Sequence, residues 1–126
     1  MNVQVFGFRD CQETRKALRF FSERRVPVHF VDMDEKPATR GELRRFADRL
    51  GAVSLIDREG RRFRELGLRV AGDSPERLLE RAVVEPRLLR TPLVRNGREV
   101  AVGARQEAWQ AWVDVGRREP APRSAR

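Results

Sequence analysis

The 126-residue chain has one cysteine, Cys11, one histidine, His29, and no tyrosine. A lone thiol excludes an internal disulfide and any cysteine-rich zinc site, and a lone imidazole excludes a histidine-based metal cluster, so no metal is expected. Long apolar runs are also missing. Nothing approaches the roughly 20 residues that cross a bilayer, and the opening Met1-Asn-Val-Gln-Val-Phe has neither the basic start nor the apolar stretch of a secretion signal. A cytoplasmic protein without membrane contact is the expectation. Lysine is scarce as well: only Lys16 and Lys36 stand among 27 basic residues, the other 25 being arginine.

What is present is charge. The formal net charge is +8 and 37% of residues are charged, against 40% hydrophobic. That excess invites a nucleic-acid reading. Its distribution argues otherwise, since residues 117–126 carry four Arg and one Glu in a Pro/Ala/Ser-rich stretch expected to be a disordered basic tail over 116–126. The remainder is interleaved with acids, as in Asp34-Glu35-Lys36 and Glu42-Leu43-Arg44-Arg45. A solvated basic surface is therefore expected rather than a nucleic-acid partner.

The chain length suits one domain, expected over 1–115 with a helical insertion at about 34–86. Val3-Gln4-Val5-Phe6 alternates as a strand that Gly7 ends. Thr14, Ala17, Leu18 and Phe21 follow at helical spacing, predicting a helix over about 11–24. Asp10 is its expected N-cap, paired with Glu13 three residues on, which puts Cys11 in the first turn. Val26 to Val31 reads as a second strand with Pro27 near its start. The strand-helix-strand spacing predicts a right-handed crossover and a parallel pair.

Thr39-Arg40-Gly41-Glu42 is a capping box opening a helix with Leu43, Phe46, Ala47 and Leu50 on its buried face, and Gly51 stops it. Ser74-Pro75 opens another, bearing Leu78, Leu79, Ala82 and Val83. Phe63 and Leu66 mark a shorter helix between these two. Leu93 to Arg95 and Glu99 to Val102 read as a hairpin around Asn96-Gly97 with a type I′ turn. A last helix over about 105–115 carries Trp109, Trp112 and Val113 as docking anchors. The order is β-α-β, a helical insertion, then β-β-α: an α/β, mixed four-stranded sheet.

A thiol in the first helical turn faces unpaired backbone N–H groups and the positive end of the helix dipole, which favour thiolate over thiol. Arg15, one turn on, is expected to add a cation, while Asp10 places a negative charge beside the sulfur. Cys11 is therefore the candidate nucleophile. His29, alternating with Val28 and Phe30 on a strand, has no expected catalytic part.

The stretch Phe6-Gly7-Phe8-Arg9-Asp10-Cys11-Gln12-Glu13-Thr14-Arg15-Lys16-Ala17 resembles the opening of the arsenate reductase-like family, which includes the Spx regulators and the YffB-like proteins. The YffB-like branch is nearest, through Gly7, Cys11, Arg15 and Lys16. The resemblance continues through Phe63-Arg64-Glu65-Leu66, Leu88-Leu89-Arg90-Thr91-Pro92-Leu93 and Val102-Gly103, over about residues 2–114. It implies a thioredoxin-like fold with a helical insertion, a single redox-active cysteine, and Pro92 as the cis-proline facing it. No bound cofactor is implied. The expected cosubstrate is an external thiol such as glutathione, with glutaredoxin or thioredoxin as further candidate partners.

Arsenate-reducing members of that family hold the oxyanion with three arginines. Here Thr91 replaces the arginine before the proline, and the other two positions fall near Asp57 or Glu59 and near Gly103. Arg58, Arg90 and Arg105 are the neighbouring candidates for substrate binding, with Lys16, Thr91 and Pro92. An arginine displaced by one residue on a strand points to the opposite face, so a thiol-dependent oxidoreductase without arsenate specificity fits the residues better. The alternative is an Spx-like protein-binding regulator that contacts RNA polymerase, with Cys11 non-catalytic. Position 14 is Thr14, so a Cys-x-x-Cys switch is unavailable to it.

Overall fold

A computed structural model describes residues 1–118. Four strands, β1 (Val3–Gly7), β2 (Val28–Asp32), β3 (Leu93–Asn96) and β4 (Glu99–Val102), form one sheet in the order β2-β1-β3-β4. The β1/β2 pair is parallel, with Phe6 opposite Val31, and the β1/β3 and β3/β4 pairs are antiparallel. This is the mixed sheet of a thioredoxin-like fold. Helix α1 (Gln12–Glu23) is the crossover between β1 and β2. Between β2 and β3 lie α2 (Arg40–Leu50), α3 (Ala52–Leu55), α4 (Arg61–Glu65), α5 (Leu68–Ala71), α6 (Pro75–Val84) and a 3₁₀ turn, Pro86–Leu88. Helix α7 (Gln106–Arg118) closes the described chain.

The strand alternation sorts the core into two layers. Val3, Val5 and Val94 face α1 and α7, where Trp109 is fully buried with its ring 5.4 Å from Phe20 and 5.8 Å from Phe21. The opposite sheet face presents Val31, Phe6, Leu93 and Val102 to the helical insertion, with Phe46 of α2 edge-on to Phe6 at 5.8 Å. Two caps lie where the side-chain chemistry predicts. Thr39 Oγ1 accepts from Glu42 N at 3.1 Å while Glu42 Oε1 accepts from Thr39 N at 2.8 Å, and Ser74 Oγ accepts from Arg77 N at 3.1 Å.

Several expectations are corrected. Asp10 does not cap α1: Cys11 is itself the N-cap residue and makes no side-chain capping bond. The Asp10 carboxylate instead accepts from Arg87 Nη1 at 3.0 Å, and Glu13 pairs with Lys16. Strand β2 begins at Val28 rather than Val26, because Arg25 takes a left-handed φ of 58° and Val26 N–H is spent on the Phe21 carbonyl of α1. The hairpin turn is shifted by one residue. Asn96 pairs with Glu99, so the two loop residues are Gly97 and Arg98, and only Gly97 has positive φ. That is the type II′ pattern, which needs glycine at the first central position alone. Helix α7 continues to Arg118, so Gly116, Arg117 and Arg118 are helical rather than part of a tail. Residues 119–126, where the rest of the disordered tail is expected, lie outside the described residues.

Candidate active site

Strand β1 carries the chain to Gly7, and four residues later Cys11 N–H donates to the Phe8 carbonyl at 3.0 Å, turning the backbone into α1. This turn sets the thiol, half-buried, at the N-terminus of α1. From the other side of the sheet end comes the segment before β3, where the Thr91–Pro92 peptide is cis. Thr91 Oγ1 lies 3.1 Å from Cys11 Sγ. Residues eighty apart in sequence are thus in direct contact.

Burial pushes the Cys11 thiol up, but the Thr91 hydroxyl hydrogen-bonded to the sulfur, together with the Thr14 hydroxyl and the backbone N–H groups of Thr14 and Glu13 around it, favours the thiolate and outweighs burial. The net effect is a thiol held below its ordinary range. Each of these groups favours the charged form, as hydrogen bonds to an anion do. Thr14 is fully buried, and its hydroxyl accepts from Phe8 N at 3.4 Å. With that acceptance made, its own proton is free to point at sulfur.

Of the other site residues read from the sequence, none adds a direct partner for the thiol among the described residues. Arg15 is one turn beyond Cys11, but its Nη1 donates to the Arg9 carbonyl at 2.9 Å. It braces the loop, and the hydroxyls and backbone N–H groups do the work expected of its charge. Side chains on a helix lean toward its N-terminus, which carries Arg15 past the sulfur to the preceding turn. Lys16 pairs with Glu13 at 3.4 Å. Arg90 extends toward the Ser54 carbonyl and lies against Gly103, whose N–H donates to the Pro92 carbonyl at 2.9 Å. Arg105 pairs with Glu107 at 2.8 Å, and Arg58 lines a separate cleft with Phe63, Leu68 and Leu78.

Two residues escaped the sequence reading. Thr14 was legible as part of the buried stripe of α1 and as the absent second cysteine, not as a partner of the thiol, although its place three residues after Cys11 puts both on one helix face. Arg87 had no local signal at all. Its guanidinium bonds Asp10 Oδ1 at 3.0 Å and Asp34 Oδ2 at 2.7 Å, with its Cζ 3.9 Å from the Phe8 ring centroid. It therefore clamps the segment leading into Cys11 to the one leaving β2.

The profile of the ArsC family matches residues 6–112, from the end of β1 to α7. The chain belongs to the ArsC family. It is 26% identical to the global transcriptional regulator Spx 2 of Oceanobacillus iheyensis, over 92% of this chain and 97% of the relative. It is 23% identical to the uncharacterized protein YusI of Bacillus subtilis, over 87% and 97%. Among solved structures it superposes on a YFFB protein with a TM-score of 0.81 at 24% identity, covering 87% of this chain and 97% of the other. An arsenate reductase from Vibrio cholerae gives 0.76 at 19% identity, covering 88% and 97%. These likenesses establish the fold of an ArsC-family protein across β1 to α7. Among the described residues, no helix is long and apolar enough to cross a membrane.

Proposed function

We propose that this ArsC-family protein is a thiol-dependent oxidoreductase in which Cys11 is the nucleophile. The observation that carries the reading is the position of the Cys11 sulfur at the start of α1, 3.1 Å from the Thr91 hydroxyl, in surroundings that lower its pKa. In the proposed cycle the Cys11 thiolate attacks one sulfur of a disulfide substrate. The substrate S–S bond breaks, a Cys11 mixed disulfide forms, and the departing thiolate takes a proton from water. Cys11 has no second cysteine to resolve this species, so an external thiolate such as glutathione attacks it, releasing the Cys11 thiolate and a mixed disulfide of the external thiol with the substrate half, which a second external thiolate then attacks to free the substrate thiol and leave the oxidised external disulfide. Two electrons pass from two external thiols to the substrate. Thr91 and the cis Pro92 present the edge against which an extended thiol substrate lies. Arsenate is not the substrate favoured by the site: Arg58, Arg90 and Arg105 are directed to other partners or another cleft rather than to the sulfur.

The test is the rate of Cys11 alkylation against pH, paired with intact-mass detection of a glutathione adduct after treatment with oxidised glutathione. The reading requires an inflection below the ordinary thiol value of ~8.5 and an adduct absent from Cys11→Ser. A slowly reacting, unshifted thiol would refute it. The match to Spx 2 over 97% of that relative's length favours one second reading, a protein-binding regulator that works without Cys11 chemistry. A regulator keeps its partner affinity in Cys11→Ser, whereas the oxidoreductase loses turnover.

A further inference from the structure

The sheet face under the helical insertion changes character along the strands. One cross-strand row, Val31, Phe6, Leu93 and Val102, is apolar and buried. The next row, two residues away and on the same face, runs His29, Gln4, Arg95, Val100. Gln4 Nε2 and His29 Nδ1 are 3.2 Å apart, and Arg95 and Val100 are only partly buried. An inner sheet face left polar in this way is one that the covering helix does not reach. Here a cleft of about 440 Å³ lies between the last turns of α2 and the β3–β4 hairpin, lined by Arg45, Arg49, Arg95, Arg98, Asp48 and Val100.

Four arginines converge there with one acid. Asp48 is engaged by Arg44 at 3.5 Å, and none of the four cleft arginines has a carboxylate partner among the described residues. Many of the other arginines are paired, including Arg40, Arg44, Arg61, Arg62, Arg81 and Arg87. Arg49 is also held in place, its Nη2 donating to the Arg98 carbonyl at 3.1 Å. Planar guanidinium groups offer paired donors that match phosphate oxygens, and a concave site of this volume falls within the range of about 300–1,000 Å³ typical of small-ligand pockets. The cleft lies beside the turn of the β3–β4 hairpin, near Val3 at the start of β1, whereas Cys11 follows the end of β1.

We propose that this cleft is a second ligand site, distinct from the Cys11 site, that binds an organic phosphate carrying at least two negative charges. Phosphate oxygens would be held by Arg45, Arg95 and Arg98, and Val100 with the arginine stems would contact the rest of the molecule. The site is independent of the thiol reading and stands or falls without it.

The test is an NMR titration of the full chain with pyrophosphate and, separately, adenosine triphosphate, each at fixed ionic strength. The expected result is saturable shifts at Gly97 and Val100, with affinity falling at least tenfold in Arg45→Gln/Arg98→Gln, two exposed side chains with no ion-pair partner among the described residues. Arg95→Gln alone weakens binding as an independent check, while Arg64→Gln/Arg69→Gln, equal in charge change but elsewhere, leaves it within twofold. Tighter binding of the nucleotide than of pyrophosphate assigns part of the affinity to the non-phosphate half; equal binding assigns it to the phosphates. The proposal is overturned if neither probe saturates at millimolar concentration, or if the two double variants weaken binding equally, which is general attraction to a basic protein. It is also overturned if a short single-stranded oligonucleotide binds these residues far more tightly than either probe, which would make the cleft a nucleic-acid surface.

Discussion

Cys11 Sγ and Thr91 Oγ1 are 3.1 Å apart, and the hydroxyl is among the groups that hold the thiol below its ordinary pKa. The contact joins the N-terminus of α1 to the segment entering β3. It makes the state of the sulfur depend on how the sheet is assembled.

Replacing Thr91 by Val keeps the shape and removes the donor. The Cys11 alkylation inflection moves upward and the rate at neutral pH falls, while stability changes by about 1 kcal/mol or less, the net worth of one ordinary hydrogen bond. Stopped-flow alkylation across pH, with a denaturant melt as control, measures both. An unchanged inflection would mean that the hydroxyl is a bystander.

Arg87 pairs with Asp10, the residue that precedes the thiol in the chain, at 3.0 Å. In Arg87→Gln, Asp10 loses its partner and a free negative charge one residue from the thiol disfavours thiolate, so Cys11 reacts more slowly at neutral pH. Adding Asp10→Asn restores the rate. Because the pair is on the surface, the stability cost stays below about 1 kcal/mol. If the second substitution gives no recovery, Arg87 acts only by packing on Phe8.

Gly7 is required by Thr14. A Cβ at position 7 would run into the Thr14 hydroxyl and methyl. Gly7→Ala therefore overpacks the strand-helix junction and costs about 1–3 kcal/mol in a urea melt, and it slows Cys11 alkylation because Thr14 is displaced from the sulfur. Full stability in this variant would show that the junction can give way.

The lowered thiol pKa carries a linkage consequence. The folded state prefers the thiolate, so the stabilisation is fully present above the unfolded thiol value of ~8.5 and is lost as pH falls through the lower folded value. The stability difference between the native chain and Cys11→Ser therefore shifts toward the native chain as pH rises across that window. Paired melts at a series of pH values read this directly, and a pH-independent difference would contradict it.

Much of the fold was legible because its signals are local. Helix α2 begins where Thr39 and Glu42 can cap each other, α6 begins at Ser74-Pro75, and the apolar spacing of Thr14, Ala17 and Phe21 marks the buried face of α1. Cys11 was recognisable from its place at a strand-to-helix turn. Where two local choices are close in energy, the sequence was a poorer guide. Asp10 is a good N-cap by type, yet an arginine 77 positions away takes its carboxylate. Asn96-Gly97 reads as a type I′ turn, yet pairing with β1, which sets Val3 opposite Asn96, leaves Asn96 in the ladder and moves the turn to Gly97-Arg98.

By itself, then, the sequence determined the order of elements, the buried stripes and the identity of the only thiol, all set by side-chain chemistry within a few residues. Only the tertiary structure decided what surrounds that thiol. Thr91, Arg87 and the arginine cleft come from segments far apart in the chain, and a hydrogen bond or ion pair forms only where folding brings its two ends within about 3 Å.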